Sequence, residues 1–181
     1  MSKIELTDQQ ILAHVDHTLL KPFATEADID QLCKEAIEYK VASVCVPPTY
    51  VWHIHKKFGK ELPICTVVGF PLGYSVTLAK AEEIRKAIDE GAAEIDMVIN
   101  ITDAKNGHFN KITGEIADLK RICGTNILKV IIETCYLTEA EKIQLCKCVT
   151  EAGADFINAG CARLGTSSAI KILSNQESSG Y

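Results

Sequence analysis

Short apolar runs alternate with amphipathic helical stretches along most of this chain, and that rhythm constrains the fold more than any other feature. The apolar runs are rich in Val and Ile and cover residues 41–46, 64–70, 95–101 and 127–132. Continuous Val/Ile runs are typical of parallel strands buried on both faces. Repeated β-then-α units predict an α/β domain with a parallel sheet.

Several helices have readable starts. Thr25 with Asp28, and Thr138 with Glu141, have the spacing of a capping box, in which the two side chains satisfy free backbone N–H groups at a helix start. Thr7-x-x-Gln10 predicts a short leading helix by the same rule. Further helices are expected near residues 50–58, 77–90 and 111–122.

The spacing of helix-ending glycines indicates an incomplete series of units. Gly91 and Gly153 are 62 positions apart, which leaves room for two βα units at roughly 30 residues each. Gly153 and Gly160 are only seven positions apart, which can hold a strand but not a strand and a helix. Either a segment is missing around residues 156–159, or an irregular loop joins two strands there.

Length and charge exclude several classes of protein. A chain of 181 residues suits one domain, and its net charge of −5 gives no bulk attraction to nucleic acid or to an anionic membrane. The longest apolar run, residues 64–72, is too short to span a bilayer. The first residues lack the apolar stretch of a secretory signal, and the eight cysteines are scattered, so we expect reduced cysteines in a cytoplasmic protein.

Two charged residues stand inside predicted strands. Strand alternation places Asp96 on one side with Glu94 and Asn100, and Lys129 on one side with Ile131 and Glu133. A buried charge is costly unless it is paired, so the interior of a barrel containing a lysine would supply the partner of Asp96. Asp96 is either a proton-transfer group or a structural carboxylate. For Lys129, an ion pair with Asp96 is a simpler role than that of a catalytic nucleophile.

Two polar segments stand where strands are expected to end. The run of residues 16–22 (DHTLLKP), which includes Thr18, suits either the end of a first strand in a TIM barrel or a capping turn. Gly165, Thr166, Ser167 and Ser168 lie between a predicted last strand and a helix. Backbone N–H groups and hydroxyls at a helix start can bind phosphate, although an ordinary serine cap has the same sequence.

Together these segments resemble the deoxyribose-phosphate aldolases, class I aldolases on a TIM (β/α)8 barrel. The likeness runs from about residue 11 to 157 through DHTLLKP, VASVCVPP, TVVGFPLG, EIDMVIN, LKVIIETCYLT and EAGADFI, and resumes at NAGCARLGTSSAIKIL. The resemblance implies cleavage of 2-deoxy-D-ribose 5-phosphate to glyceraldehyde 3-phosphate and acetaldehyde through a Schiff base. It implies no metal and no organic cofactor, a small phosphorylated sugar as the partner, and leaves a homodimer open.

The resemblance also implies roles for individual residues. Asp96 matches the carboxylate that relays protons, and Lys129 and Thr18 match polar residues near the site. Gly165, Ser167 and Ser168 match the phosphate seat, which Thr166 adjoins.

The likeness breaks after Ile157, where the family continues with a Lys-Thr-Ser-Thr-Gly-Phe run whose lysine forms the Schiff base. Here Asn158-Ala159-Gly160 follows instead. A second lysine and a Gly-Gly pair of the family also lack a counterpart, and roughly 40–55 residues are absent by unit spacing.

The predicted architecture is therefore one incomplete aldolase-type barrel domain over residues 1–181, with about one and a half βα units missing near the C-terminus. Residues 1–157 form units one to six, residues 158–174 the last strand and phosphate helix, and residues 175–181 a tail. Three functions stay open: a shortened aldolase form that is inactive or nearly so, a non-catalytic phosphate-ligand-binding or scaffold protein, and an aldolase whose amine comes from elsewhere, with Lys129 the first candidate.

Overall fold

A computed structural model describes residues 6–157 and 164–173 of the chain. Its strands and helices alternate as the sequence predicts. The strands are β1 Val15–Thr18, β2 Ser43–Val46, β3 Ile64–Val68, β4 Glu94–Val98, β5 Ile127–Ile131, β6 Phe156–Ile157 and β7 Leu164–Thr166. The α-helices are α1 Asp8–Leu12, α2 Glu26–Tyr39, α3 Val51–Phe58, α4 Thr77–Asp89, α5 Ile101–Lys105, α6 Phe109–Cys123, α7 Glu139–Glu151 and α8 Ala169–Leu173.

The strands form one parallel sheet in the order β6-β5-β4-β3-β2-β1-β7. Neighbours in sequence are neighbours in space from β1 to β6, which is the strand order of a (β/α)8 barrel. The last strand pairs with β1, with Val15 opposite Leu164 and Asp16 opposite Gly165. Among the described residues β6 and β7 are therefore the two ends of the sheet, and the prediction of an incomplete barrel is confirmed.

The region of the predicted gap is only partly described. Phe156 and Ile157 form a two-residue strand opposite Lys129 and Val130. The last strand, which the sequence places within residues 158–174, is β7. Residues 158–163 lie outside the described residues, as do residue 174 and the predicted tail, residues 175–181.

The apolar core lies between the sheet and the helices. Side chains that point away from the inside of the curled sheet, such as Val15, Val44, Ile95 and Leu128, pack against helix residues and are buried. Each fully buried Val, Ile or Leu contributes roughly 1.5–3 kcal/mol relative to exposure. The opposite side of the same strands carries the charged residues Asp16, Glu94, Asp96 and Lys129, because strand side chains alternate between faces.

The three predicted capping boxes are present. Thr7, Thr25 and Thr138 each accept a hydrogen bond from the backbone three residues later, and the side chain of that residue binds back. No helix among the described residues has the length and apolarity needed to cross a membrane.

Two strands end earlier than predicted. The prediction that Asn100 shares a strand face with Asp96 is wrong, because β4 ends at Val98 and the Asn100 side chain caps α5 by accepting from the N–H groups of Thr102 and Asp103. Glu133 likewise lies beyond β5, with a left-handed backbone at φ 53°. Its side chain therefore does not continue the face of Lys129, as alternation had indicated.

Candidate active site

The centre of the site is Lys129, whose side chain is 1% exposed inside the curled sheet. Its Nζ donates hydrogen bonds to Asp16 Oδ2 at 2.6 Å and to Cys65 Sγ at 3.4 Å. Glu94 Oε2 and Asp96 Oδ1 lie at ion-pair distances of 3.1 and 3.0 Å. One ammonium therefore contacts three carboxylates, which come from β1 and β4.

Backbone pairing explains why these residues meet. Asp96 stands opposite Lys129, and Glu94 stands opposite Ile127, where β4 pairs with β5. Asp16 reaches the cluster from β1, held by the Ser43 hydroxyl, which donates to Asp16 Oδ1 at 2.7 Å. The predicted contact between Lys129 and Asp96 is present.

Burial and charge act in opposite directions on Lys129. Burial alone would lower the pKa of its ammonium, but the groups around it, Cys65 and the three carboxylates, outweigh burial and hold the pKa above its ordinary value. Removal from water raises the pKa of Asp96, against the opposing attraction of Lys129. Lys129 is thus a charged ammonium at neutral pH, which is a poor nucleophile.

Two cysteines complete the cluster. Cys45 Sγ lies 3.9 Å from Asp96 Oδ2, and Cys65 lies opposite Cys45 where β2 pairs with β3. Burial raises the pKa of the Cys65 thiol well above its ordinary value. Sequence reasoning singled out the run of residues 16–22, which contains Asp16, but not the contact of Asp16 with Lys129, and it missed Ser43 and Cys65. Alternation within the run of residues 64–68 could have placed Cys65 inward, but its contact with Lys129 depends on the curl of the sheet.

The predicted phosphate seat lies at the end of β7 and the start of α8. Ser168 N–H donates to Thr166 Oγ1 at 3.1 Å, so that amide already has a partner. Gly165 lies beside β1, where an added Cβ would stand 3.9 Å from Thr18 Oγ1. The hydroxyl of Thr18 donates to its own strand, at Asp16 O, at 2.7 Å.

A cavity of about 320 Å³ connects part of this seat to β1. Its lining includes Thr18, Lys21 and Ser167, and also His17 and Glu35, whose side chains are 2.9 Å apart. Asp96 and Lys129 do not line this cavity. Within the described residues, Asp96 and Lys129 therefore contact each other. They lie outside the cavity that Ser167 lines, so the predicted catalytic and phosphate-binding residues do not share one cavity.

A parallel, incomplete (β/α)8 barrel with a buried lysine–carboxylate cluster inside its sheet defines the chain as a barrel protein of the TIM type. Comparison with known proteins makes the relationship specific. A sequence profile described as "DeoC/LacD family aldolase" matches residues 10–175. The chain belongs to that family.

Relatives and a solved structure agree with this membership. A protein named deoxyribose-phosphate aldolase from Clostridium botulinum (strain Alaska E43 / Type E3) is 47% identical over 221 residues, covering 97% of this chain and 100% of the relative. One of the same name from Streptococcus pyogenes serotype M28 is 51% identical over 149 residues, covering 82% of this chain and 67% of the relative. The crystal structure of a putative deoxyribose-phosphate aldolase from Coccidioides immitis superposes with a TM-score of 0.87 at 29% identity, covering 94% of this chain and 87% of the other.

Proposed function

We propose that this chain is a shortened form of a deoxyribose-phosphate aldolase that keeps the carboxylate and phosphate-binding groups but does not form the Schiff base. The reaction of the complete enzyme would be the cleavage of 2-deoxy-D-ribose 5-phosphate to glyceraldehyde 3-phosphate and acetaldehyde. One observation carries the proposal: Lys129, the only lysine among the described residues that contacts Asp96, is held as an ammonium by three carboxylates.

The chemistry explains why that observation matters. In a class I aldolase a neutral amine attacks the substrate carbonyl, water leaves, and the resulting imine accepts electrons as the carbon–carbon bond breaks. An ammonium has no free electron pair for the attack. Lys129 therefore suits the role of orienting Asp96 and of offsetting the free-energy cost of burying the Asp96 carboxylate. It does not suit the role of the nucleophile.

The alignment with the relatives supports a missing segment. The alignment to the Clostridium botulinum relative spans 221 positions and exceeds the 181 residues of this chain by 40, so at least that many positions face a gap here. The alignment to the streptococcal relative instead ends after 149 residues. Both agree with a segment that the relatives have and this chain lacks. The sequence itself favours a position after Ile157, where the expected lysine-containing run is absent.

The turn of residues 165–168 is proposed to retain weak phosphate binding. The hydroxyls of Thr166, Ser167 and Ser168 stand at the start of α8, and the ammonium of Lys21 adds positive charge to the cavity that Ser167 lines. The Ser168 amide is already engaged by Thr166, which removes one donor from the turn. We therefore expect phosphate affinity below that of a complete barrel.

A second candidate function is that of a non-catalytic binder of phosphorylated ligands. The cavity with Ser167 and Lys21 favours it, because this cavity is separate from Asp96 and Lys129 and does not need them. In this case ligand binding would persist in variants of the buried cluster that still fold.

Phosphate titration followed by backbone amide NMR tests binding. We expect saturable shifts of the Gly165–Ser168 amides that are reduced in Ser167→Ala, while Ser75→Ala, a serine outside this turn, leaves them unchanged. Shifts confined to other parts of the chain would contradict the assignment of this turn. A coupled assay for glyceraldehyde 3-phosphate, run beside a full-length relative, tests the lack of activity that both candidates share: product formed at a comparable rate would contradict both.

A further inference from the structure

Two thiols and a carboxylate converge inside the sheet on the side of the strands that faces away from the apolar core. Cys45, Cys65 and Asp96 come from the adjacent strands β2, β3 and β4, and their ligand atoms all lie within 4.8 Å of one another. All three residues are buried, at 2%, 0% and 4% exposure. The aldol reaction described above has no use for the two thiols.

We propose that Cys45, Cys65 and Asp96 form a binding site for one thiophilic divalent cation, of the class of Zn²⁺ and Cd²⁺. The site is independent of the proposed aldolase origin, and it would exist whether or not the chain forms a Schiff base.

The donor set suits such an ion. Zn²⁺ binds thiolate sulfur at about 2.3 Å and carboxylate oxygen at about 2.0–2.2 Å, which puts two sulfurs of a tetrahedral site about 3.8 Å apart. Donors already within 4.8 Å need only small side-chain rotations to reach that geometry. Direct pairing of Cys45 with Cys65 on neighbouring strands holds the two sulfurs at one level of the sheet. Three protein ligands leave a fourth position for water.

The two oxygens of Asp96 have different neighbours. Oδ1 lies 3.0 Å from Lys129 Nζ, whereas Oδ2 lies 3.9 Å from Cys45 Sγ. An ion bound between the thiols would use Oδ2, and Lys129 would keep its contact with Oδ1. Asp96 can therefore bridge the ammonium and the cation without breaking the existing ion pair.

The charge of the incoming ion is balanced within this group. Binding releases one proton from each thiol to solvent, and the two resulting thiolates offset the two positive charges of the cation. The net charge of the whole cluster, which also contains Lys129 and the carboxylates of Asp16, Glu94 and Asp96, is therefore unchanged by binding. Lys129 already donates to Cys65 Sγ at 3.4 Å, a contact that stabilises the thiolate once it forms. Because a buried charge is tolerated only when it is paired or bound to a metal, this balance favours a bound divalent ion.

Titration of the full chain with Cd²⁺ tests the site through the ultraviolet sulfur-to-cadmium absorption. We expect one ion per chain to produce the band, and Zn²⁺ to displace it. Cys45→Ala and Cys65→Ala should each weaken binding by more than the roughly 10–100-fold that loss of an outer-shell partner costs. Cys33→Ala removes an equally buried thiol from α2 and should leave the titration unchanged.

A second measurement keeps the test decisive if a variant folds poorly. In the unmutated chain, ¹³Cβ resonances of Cys45 and Cys65 should move together on addition of Zn²⁺, while that of exposed Cys135 stays in place. Movement at Cys135 or Cys33 without Cys45 and Cys65, or an unchanged Cd²⁺ band in both cluster variants, would overturn the proposal.

Discussion

At the scale of single residues, the ion pairs around Lys129 affect two properties: the ability of Lys129 to act as a nucleophile and the free energy of unfolding. Its ammonium is almost fully buried and contacts Asp16, Glu94 and Asp96. Buried ion pairs add little net stability compared with apolar packing, but removal of one partner leaves charge buried without compensation.

Lys129→Met should therefore be strongly destabilising, by about 3–5 kcal/mol in the free energy of unfolding. Denaturant unfolding measures this directly. Lys105→Met is the matched control, since Lys105 is half exposed where it pairs with Glu141 and should change stability by about 1 kcal/mol or less. Equal losses in both variants would contradict the electrostatic account of the cluster.

The sequence predicted part of this cluster and missed the rest for a physical reason. Alternation along a strand is a local property, and it placed Asp96 and Lys129 on inward faces. The contacts of Asp16 and Cys65 with Lys129 join strands that are distant in sequence. These contacts depend on how tightly the sheet curls, which no local pattern encodes.

At the scale of secondary-structure elements, the loop after β3 packs its backbone against the end of β4. Gly73 has φ +70°, and a Cβ built on it would stand 1.8 Å from Ile99 O. That position therefore requires glycine on two grounds, backbone conformation and space.

Gly73→Ala should cost clearly more than the roughly 1–2 kcal/mol of a left-handed alanine, because a backbone carbonyl must also move. Gly107→Ala is the matched control, with φ +71° and nothing within 4 Å of the added Cβ. Thermal and denaturant unfolding of both variants checks the difference. Equal destabilisation would show that the contact with Ile99 is relieved without cost.

The start of α7 gives a prediction about pH. The hydrogen bond from Lys105, followed by that from the Thr138 backbone, lowers the pKa of Glu141 from 4.5 to about 2. A carboxyl with a lowered pKa in the folded state stabilises the protein above its unfolded pKa and loses that effect as pH falls through the folded one. The contribution of Glu141 is thus complete above about pH 4.5 and declines toward about pH 2.

Glu141→Gln should reduce stability above pH 4.5 and flatten its decline below that value. Unfolding curves across this range, with Glu139→Gln from the same helical turn as control, measure the effect. A parallel decline in wild type and Glu141→Gln would contradict the assignment.

The beginnings of elements were more predictable than their ends. Capping boxes at Thr25 and Thr138 are local hydrogen-bond patterns between residues three positions apart, so they can be recognised from the sequence alone. The early ends of β4 and β5 were not predicted, because Ile99, Ile101 and Ile132 continue the apolar run although the backbone has already left the sheet. Burial against neighbouring elements, which a single strand pattern does not contain, explains their apolar character.

At the scale of the whole molecule, the sheet of the described residues ends at β6 and β7 and not in a closed ring. The rhythm of helix-ending glycines predicted this shortfall, because a barrel repeats units of nearly constant length. The rhythm also placed the gap around residues 156–159, and the sheet of the described residues ends on either side of it, at β6 and β7. Pairing of β7 with β1, the same neighbours that a complete barrel would join, is a property of the assembled sheet.

The central proposal is that, within the residues that the structure describes, this aldolase relative has no amine placed to form a Schiff base. Incubation with 2-deoxy-D-ribose 5-phosphate and borohydride, followed by intact-protein mass spectrometry, tests it most directly, because reduction traps any imine as a stable adduct. With a full-length relative as the labelled control, we predict no change in the mass of this chain. An adduct mapped to Lys129, lost in Lys129→Ala and kept in Lys57→Ala, would contradict the claim and identify a relocated nucleophile.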